Sequence, residues 1–495
     1  MVSVAGIFGE TRYRLFSQYL SRHFVLFLSL LFALGEVYIM VYKRDYFYPY
    51  NLLPLALFIL YTAVFHLQYL VFFLAFATPL AISLKEMGLS EGPDLSIPTE
   101  PVMAGIMLMY LLQQFKGGIS DKRFNGHLIS SVILIQLVWM FLTTLSSTDF
   151  VVSLKYFISR LWFIFSCYLI IPHLFQKREN MVRFVLAYAS AMAIVVIYTS
   201  LRHMAYNFND KAADWVVSPF YNDHTAYGAA LAMFIPVMLS LMAMKSLKMA
   251  WRVYALVLFC MFVTAIIISF ARAGWLSLVI AAAIFFTTLL RLRFRFIVLS
   301  LLIGGGIFAV FQNDILLILS RNTTDAEGSF ENNIESVSNI STDASNLERL
   351  NRWSCAYRMW EDKPLMGWGP GTYMFKYAPY QLSRDLTIIS TNFGTNGNAH
   401  SEYLGPLAEQ GVPGLLIVIT LFFATTALGY RLVYTLSDHD DRYLCTGLFL
   451  GLMTYIVHGF FNNFLDTDKL SLPFWAFLAA LVSFDIYFRK KNQVA

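Results

Sequence analysis

Apolar runs long enough to cross a bilayer recur along this chain, and they constrain its fold more than any other feature. A transmembrane helix needs about 20 mostly apolar residues. Hydrophobic residues make up 58% of the 495 residues and charged residues 14%, against roughly 25% charged residues in soluble domains. A soluble fold cannot hide so much apolar surface behind so few charges. The composition therefore excludes most soluble classes and indicates a polytopic membrane protein.

The runs predict roughly 12 to 14 spans, because two pairs of neighbouring runs are short and close together. None shows the alternation of apolar and polar residues that marks a barrel strand, so the predicted fold is an all-α bundle. The candidate runs are 24–42, 52–66, 67–84, 101–115, 128–146, 151–176, 181–201, 224–244, 253–270, 272–290, 296–312, 412–430, 443–461 and 470–488.

Basic residues set the predicted orientation, since short cytoplasmic loops carry an excess of Lys and Arg. With the N-terminus in the cytoplasm, every short basic cluster falls on the cytoplasmic side, and the C-terminus lies there too. The clusters are Lys116–Arg123, Lys177–Arg183, Lys245–Arg252, Arg291–Arg295 and Arg489–Lys491. A long polar stretch at 313–399 then falls on the outer side of the membrane.

This polar stretch divides the chain into three parts. Spans occupy residues 1–312 and 412–495, and a loop with short helices occupies 313–411. Within the loop, the pattern predicts a helix at Leu347–Asp362 that ends at Lys363-Pro364 and leads into a glycine-rich turn. Because long loops in compact folds are usually functional or disordered, we expect catalytic motifs in this part of the chain.

His400 lies at the start of a predicted short helix at the outer membrane surface. From Ser401 onward the apolar residues share one helical face, and Gly411 and Pro413 end the helix. An imidazole titrates near neutral pH and can accept a proton from a hydroxyl group, so His400 is a candidate base. A surface or helix-cap histidine is the alternative.

Three arginines on the same predicted side are candidate functional residues. Arg272 lies between two apolar runs, at a depth where a charge is costly and by default functional. Arg349 and Arg352 lie one helical turn apart, and guanidinium groups bind phosphate through paired hydrogen bonds. The alternatives are an arginine that extends to the membrane surface at 272 and a solvated charged helix around 349.

Polar residues near other span ends are further candidates. The supporting candidates are Asp223, His224, Glu409 and Asn463. Asp223 is also a typical N-cap for the helix that follows it. Asp466 and Asp468 are of the residue type found in metal sites, although two aspartates in a tight turn before a helix need no metal.

Three ordered motifs resemble those of the O-antigen ligase and O-antigen polymerase superfamily of bacterial membrane proteins. The motifs are Ser269–Leu276, Arg349–Gly371 and His400–Gly414. The resemblance covers roughly residues 180–480, and the first 150 or so residues match only as generic spans. In the third motif, Ser401 stands where asparagine is more usual.

The resemblance implies a glycosyltransferase-C-like fold in the bacterial inner membrane. It implies glycan transfer from undecaprenyl pyrophosphate to an acceptor hydroxyl at the periplasmic face, with His400 as base and Arg272 and Arg349 as diphosphate ligands. It implies no metal and no other cofactor, and an in-line attack should invert the anomeric centre. The leading hypothesis is O-antigen ligation to lipid A core, a step of lipopolysaccharide biosynthesis.

Other functions remain open at this point. Polymerases of the superfamily use a second lipid-linked repeat unit as acceptor, and protein O-oligosaccharyltransferases use a Ser, Thr or Tyr. A lipid-linked-sugar flippase would need repeated halves and polar residues at mid-membrane, and the sequence has neither a repeat nor many central charges. A metal-dependent glycosyltransferase would use Asp466 and Asp468. The sequence contains no basic tract for a nucleic acid.

Overall fold

The computed structural model is an all-α bundle that crosses a membrane several times. Eight of the described helices are long and apolar enough to span a bilayer, and two shorter apolar helices accompany them. The prediction of an all-α polytopic membrane protein is therefore confirmed. The structure describes residues 22–43, 67–88, 95–114, 121–293, 344–383 and 397–489, together with positions 47, 50, 51, 54, 386 and 390.

Part of the predicted topology lies outside the described residues. The predicted span at 296–312, the predicted span at 52–66 apart from position 54, and the first part of the polar loop at 313–343 all fall there. The total of roughly 12 to 14 spans, and the division of the chain at 312 and 411, therefore stay predictions.

The described helices are numbered in chain order. They are α1 (Arg22–Tyr42), α2 (Leu67–Leu80), α3 (Thr99–Gln114), α4 (Lys122–Asn125), α5 (Leu128–Leu145), α6 (Phe150–Ile164), α7 (Ile171–Leu174), α8 (Arg178–Met204), α9 (Asp210–Val216), α10 (His224–Ala243), α11 (Met249–Ile268), α12 (Arg272–Leu289), α13 (Ala344–Asp362), α14 (Tyr373–Lys376), α15 (Leu404–Thr435), α16 (His439–His458) and α17 (Asp468–Ser483). A π-helical turn joins α6 to α7, and another follows α17. Strands β1 (Ile82–Ser83) and β2 (Ser96–Ile97) form a short antiparallel pair.

Helices α10 and α17 occupy the centre of the bundle, where 78% and 89% of their apolar segments are buried against protein. Helix α16 packs along α10 through Gly447 and Gly451, which lie one helical turn apart. A Cβ at Gly447 would lie 2.3 Å from the Ser240 hydroxyl oxygen. Small residues at this spacing allow close helix packing inside a bilayer, where the hydrophobic effect does not drive helices together.

Helix α13 and the glycine-rich turn after it pack against one end of the bundle. The observed helix ends at Asp362, as predicted, and the turn meets a kink in α15. Gly411 has φ of +70° at this kink, and Val412 N–H donates to the Pro364 carbonyl at 2.9 Å. The predicted helix end at Gly411 is therefore a kink, because the chain continues directly into the span below it.

Candidate active site

His400 is held in an unusual backbone conformation at this end of the bundle. Its φ of +47° lies in the left-handed region, which residues other than glycine seldom adopt. Its N–H donates to the Asn398 side-chain oxygen at 3.0 Å, and the Trp353 indole N–H donates to its carbonyl at 3.4 Å. Strained residues of this kind persist where their surroundings over-determine them, and they cluster at functional sites.

The imidazole of His400 is neutral at physiological pH. Burial, together with the positive charges of Arg349 and Arg352, lowers its pKa to about 4, while Asp223 and Glu348 act in the opposite direction. The expectation that His400 titrates near neutral pH is therefore wrong for the unliganded protein. A neutral ring keeps a nitrogen lone pair that can accept a proton.

The two arginines of α13 differ in their surroundings. Arg349 is half-buried, and its charge acts on both His400 and His458. Arg352 is 4% exposed, donates from Nε to the Glu348 carboxylate at 2.6 Å, and stacks over the Tyr377 ring at 4.0 Å. Arg352 therefore lies deep behind the surface that Arg349 reaches, and it is not the open phosphate fork that the sequence indicates.

A second histidine, His458, is under the influence of the same two charged groups as His400, those of Arg349 and Asp223. It is fully buried at the end of α16, where Asn462 Nδ2 donates to its Nε2 at 3.1 Å. Its ring adjoins the backbone of Ala273, so the start of α12, and with it Arg272, reaches this end of the bundle. We call the group of Arg349, Arg352, His400 and His458 the arginine cluster.

The residues at the start of α10 have local roles. Asp223 caps the helix, as its sequence context predicts, by accepting from Ala226 N–H at 2.7 Å and from the Thr225 hydroxyl at 2.6 Å. Its carboxylate still acts electrostatically on both histidines of the arginine cluster. His224 is turned towards α9, where its Nδ1 contacts the Asp214 carboxylate.

A cavity of about 150 Å³ lies beside the His400 loop. Ala399 and Ser401, the two neighbours of His400, both line it. Its charged lining residues are Arg160, Glu402, Glu409 and Asp466, and Asn463 lies beside them. We call this space the acidic cavity, because three carboxylates face one guanidinium group.

Backbone packing builds the walls of the acidic cavity. Glu402 Oε1 accepts from the Tyr455 hydroxyl at 2.6 Å and from the N–H groups of Phe464 and Leu465 at 2.9 Å each. These bonds join the His400 loop to the turn between α16 and α17. Glu409, in α15, accepts a hydrogen bond from Tyr373 N–H at 3.0 Å. This bond joins α15 to the segment that follows the glycine-rich turn.

The two aspartates suggested as a metal pair point to different places. Asp466 lines the acidic cavity, whereas Asp468 accepts from the Thr99 hydroxyl at 2.5 Å. No group of three or more His, Cys, Asp or Glu residues in the described part of the chain is arranged to hold a metal ion.

Sequence reasoning missed several groups of this region. Arg160 and Gln136 were counted as parts of apolar runs, and Trp475 as part of the last span. The signal for Arg160 was available, because an arginine within a membrane span is by default a functional-site candidate. His458 is recognisable from the sequence as a histidine at the outer end of a predicted span, but nothing in its local pattern connects it with His400. No signal exists for Trp475, whose importance depends on which segments fold against it.

Fold and site together define a multi-pass membrane protein with paired polar sites at one end of its helical bundle. Residues 256–419 match the family described as O-antigen ligase, about a third of the chain. The matched segment contains Arg272, Arg349, Arg352 and His400, and the resemblance to the O-antigen ligase and polymerase superfamily is thereby confirmed. A comparison with curated proteins found no match. The family supports a glycosyltransferase-like enzyme that carries out glycan transfer in general.

Proposed function

We propose that this protein transfers a glycan from undecaprenyl pyrophosphate to an acceptor hydroxyl at the periplasmic face of the bacterial inner membrane, with lipid A core as the acceptor. One observation carries the proposal furthest. A strained, neutral histidine lies under the direct influence of two arginines within a segment that matches the O-antigen ligase family. This arrangement pairs a proton acceptor with a site for a negatively charged leaving group.

The arginines hold and stabilise the diphosphate. Arg349 and Arg272 are the ligands, and Arg352 adds positive charge from behind them. Charge-assisted hydrogen bonds to guanidinium groups neutralise the charge that develops on the leaving oxygen. The positive charges that a metal ion supplies in other phosphate sites come here from side chains of the protein.

The chemical step forms one bond and breaks another. The acceptor oxygen attacks the anomeric carbon, and the bond from that carbon to the diphosphate oxygen breaks, with the electron pair leaving on the diphosphate. The acceptor proton passes to the neutral ring of His400. Attack opposite the leaving group inverts the anomeric centre.

Donor binding also prepares the base. In the unliganded protein, burial lowers the pKa of His400, and the charges of Arg349 and Arg352 lower it further. A bound diphosphate offsets those charges and therefore raises the basicity of the ring towards the operating pH, where general bases work best. The base thus becomes effective when the donor is in place.

A reconstituted assay tests this proposal. We expect His400→Ala to reduce transfer to lipid A core by about 10² to 10⁴ and to leave binding of the undecaprenyl-pyrophosphate donor intact, since general-base help is of that size. The matched control is His439→Ala, which changes an exposed histidine at the opposite end of α16. Normal turnover in His400→Ala, or loss of donor binding in that variant, would refute the assignment of the base.

A further inference from the structure

The acidic cavity contains polar atoms that the protein itself does not satisfy. Gln136 Oε1, Asn463 Oδ1 and Trp475 Nε1 are each buried without a hydrogen-bond partner among the described residues, and all three residues line the cavity. Trp475 is 1% exposed. Buried polar atoms are nearly always paired, so three unpaired ones around one space indicate a missing polar occupant.

The type of atom limits what this occupant can be. Two of the unpaired atoms are acceptors, and the indole N–H is a donor. A hydroxyl group both donates and accepts, and a molecule with several hydroxyls can satisfy all three atoms together. A volume of about 150 Å³ holds roughly five waters, which limits the occupant to one small ring or the end of a larger molecule.

The lining of the cavity disfavours a phosphate. The guanidinium of Arg160 is already engaged, donating to the Leu465 carbonyl at 2.7 Å and to the Tyr156 hydroxyl at 2.9 Å. Against this single positive charge stand the three carboxylates of the acidic cavity. This lining disfavours an anionic occupant, because one engaged guanidinium faces three carboxyl groups, and a neutral polyhydroxylated occupant meets several hydrogen-bonding groups.

Asp466 is the carboxylate best placed to meet such an occupant. Asp466 lines the cavity and is the most exposed of its three carboxylates. Glu402 and Glu409, by contrast, are about nine-tenths buried and accept hydrogen bonds from the protein backbone. Removal of the group from water and the charge of Glu402 raise the pKa of Asp466 to about 7.

We propose that the acidic cavity is the subsite for the acceptor sugar, binding a neutral, polyhydroxylated ring whose hydroxyls meet Gln136, Asn463, Asp466 and Trp475. The proposal rests on the proposed glycan transfer and names where the acceptor lies relative to His400. A sugar is favoured over a Ser or Thr side chain because one hydroxyl cannot pair with three separate unpaired atoms. The donor diphosphate stays at the arginine cluster.

Kinetics of the full-length reconstituted protein test the subsite. Trp475→Phe keeps a six-membered aromatic ring but removes the indole N–H. We expect it to raise the acceptor KM about two- to tenfold, which is the effect of one lost hydrogen bond. The donor KM should not change, and the melting temperature is measured to separate the loss of packing at this buried position from the loss of the hydrogen bond. The control is Trp162→Phe, because Trp162 also has a buried indole N–H without a partner but does not line the cavity. An unchanged acceptor KM in Trp475→Phe would mean that the cavity holds only water, and would overturn the proposal.

A binding measurement separates failure of the subsite from failure of the proposed function. Gln136→Cys, in a Cys260→Ser background that removes the exposed native cysteine, is treated with methyl methanethiosulfonate. Free lipid A core oligosaccharide should slow the modification of the cysteine at position 136 by this reagent. A Ser-containing peptide should not slow it. Protection of the cysteine by the oligosaccharide without any glycan transfer would refute the proposed function but would still support the subsite. Transfer without protection, or protection by the peptide alone, would overturn the subsite.

Discussion

The arginine cluster and the acidic cavity lie on either side of one short loop, and they carry opposite charge. On one side, burial together with the charges of Arg349 and Arg352 keeps His400 neutral. On the other, carboxylates outnumber the single guanidinium of Arg160. A glycan transferase must hold an anionic leaving group and a neutral nucleophile on opposite faces of one anomeric carbon. The different charge of the two sides favours the anionic leaving group at the arginine cluster and the neutral nucleophile at the acidic cavity.

The loop between the two regions is firmly anchored to both. Glu402 N–H donates to the Gly459 carbonyl at 2.7 Å, and its carboxylate holds the turn that carries Asn463. On the other side, the Trp353 ring meets Phe460 edge to face, with ring centroids 5.1 Å apart. A change in one region can therefore be tested for its effect on the other.

The largest expected effect is on the cationic side. Arg349→Lys keeps the charge but loses the planar fork, so a bidentate diphosphate contact is lost. We expect transfer to fall by roughly 10² to 10³, in the range found when one preorganised donor to a developing charge is removed. Donor binding should weaken in parallel, measured with the purified protein and labelled donor lipid, while the acceptor KM stays the same.

Arg358→Lys is the control for this variant. Arg358 lies on the same helix and donates to the Tyr380 carbonyl at 2.5 Å, away from both histidines. The Arg358→Lys variant should transfer glycan at close to the wild-type rate. If Arg349→Lys turns over normally, or if its main defect is in the acceptor KM, the division of labour between the two regions is wrong.

The arginine cluster could largely be predicted from the sequence. Its motifs are contiguous, and each places a chemically distinctive residue beside a recognisable helix start or end. The end of α13 at Asp362 and the break at Gly411 follow from local rules for Pro and Gly. What the sequence could not supply was the depth of Arg352, because its partners Glu348 and Tyr377 engage it only after the loop has folded.

The acidic cavity could not be predicted in the same way. Its lining comes from α5, α6, the glycine-rich segment, α15, the turn before α17, and α17 itself. Each contribution, taken alone, has an ordinary explanation such as a polar span end or an apolar core residue. Glu409 and Asn463 are candidates from the sequence, but nothing in their local patterns connects them with Arg160, which lies some 250 to 300 residues earlier in the chain.

A smaller effect is expected from pH on the acidic side. Asp466, with its pKa raised to about 7, is ionised above that pH and protonated below it. An ionised carboxylate accepts hydrogen bonds from hydroxyls more strongly than a protonated one. We therefore expect the acceptor KM to rise roughly fivefold as the pH falls from 8 to 6, since a charge-assisted bond exceeds a neutral one by about 1 kcal/mol.

Asp466→Asn is the matched variant for this experiment. Its acceptor KM should be independent of pH over the same window and close to the wild-type value at pH 6. Any pH dependence of the donor KM, which His400 brings because donor binding raises its pKa, should be the same in both proteins. A pH dependence that persists in Asp466→Asn would assign the titration to another group and separate Asp466 from the acceptor.

The smallest effect is expected where the two regions are joined. Trp353→Phe removes the indole N–H that donates to the His400 carbonyl at 3.4 Å, but it keeps an aromatic ring against Phe460. Because that bond is longer than the usual 2.7–3.2 Å, its loss should cost less than about 1 kcal/mol and lower kcat by less than about fivefold. Neither the donor KM nor the acceptor KM should change, because the side chains that bind each substrate are all still present.

Trp353→Ala gives the contrast that makes this small effect informative. It removes both the hydrogen bond and the aromatic contact, which contributes about 0.5–1.5 kcal/mol beyond its buried area. If packing at Phe460 is what positions His400, kcat should fall much further in the Ala variant than in the Phe variant, with donor binding retained. Equal losses in the two variants would mean instead that the long hydrogen bond alone holds His400 in its left-handed conformation.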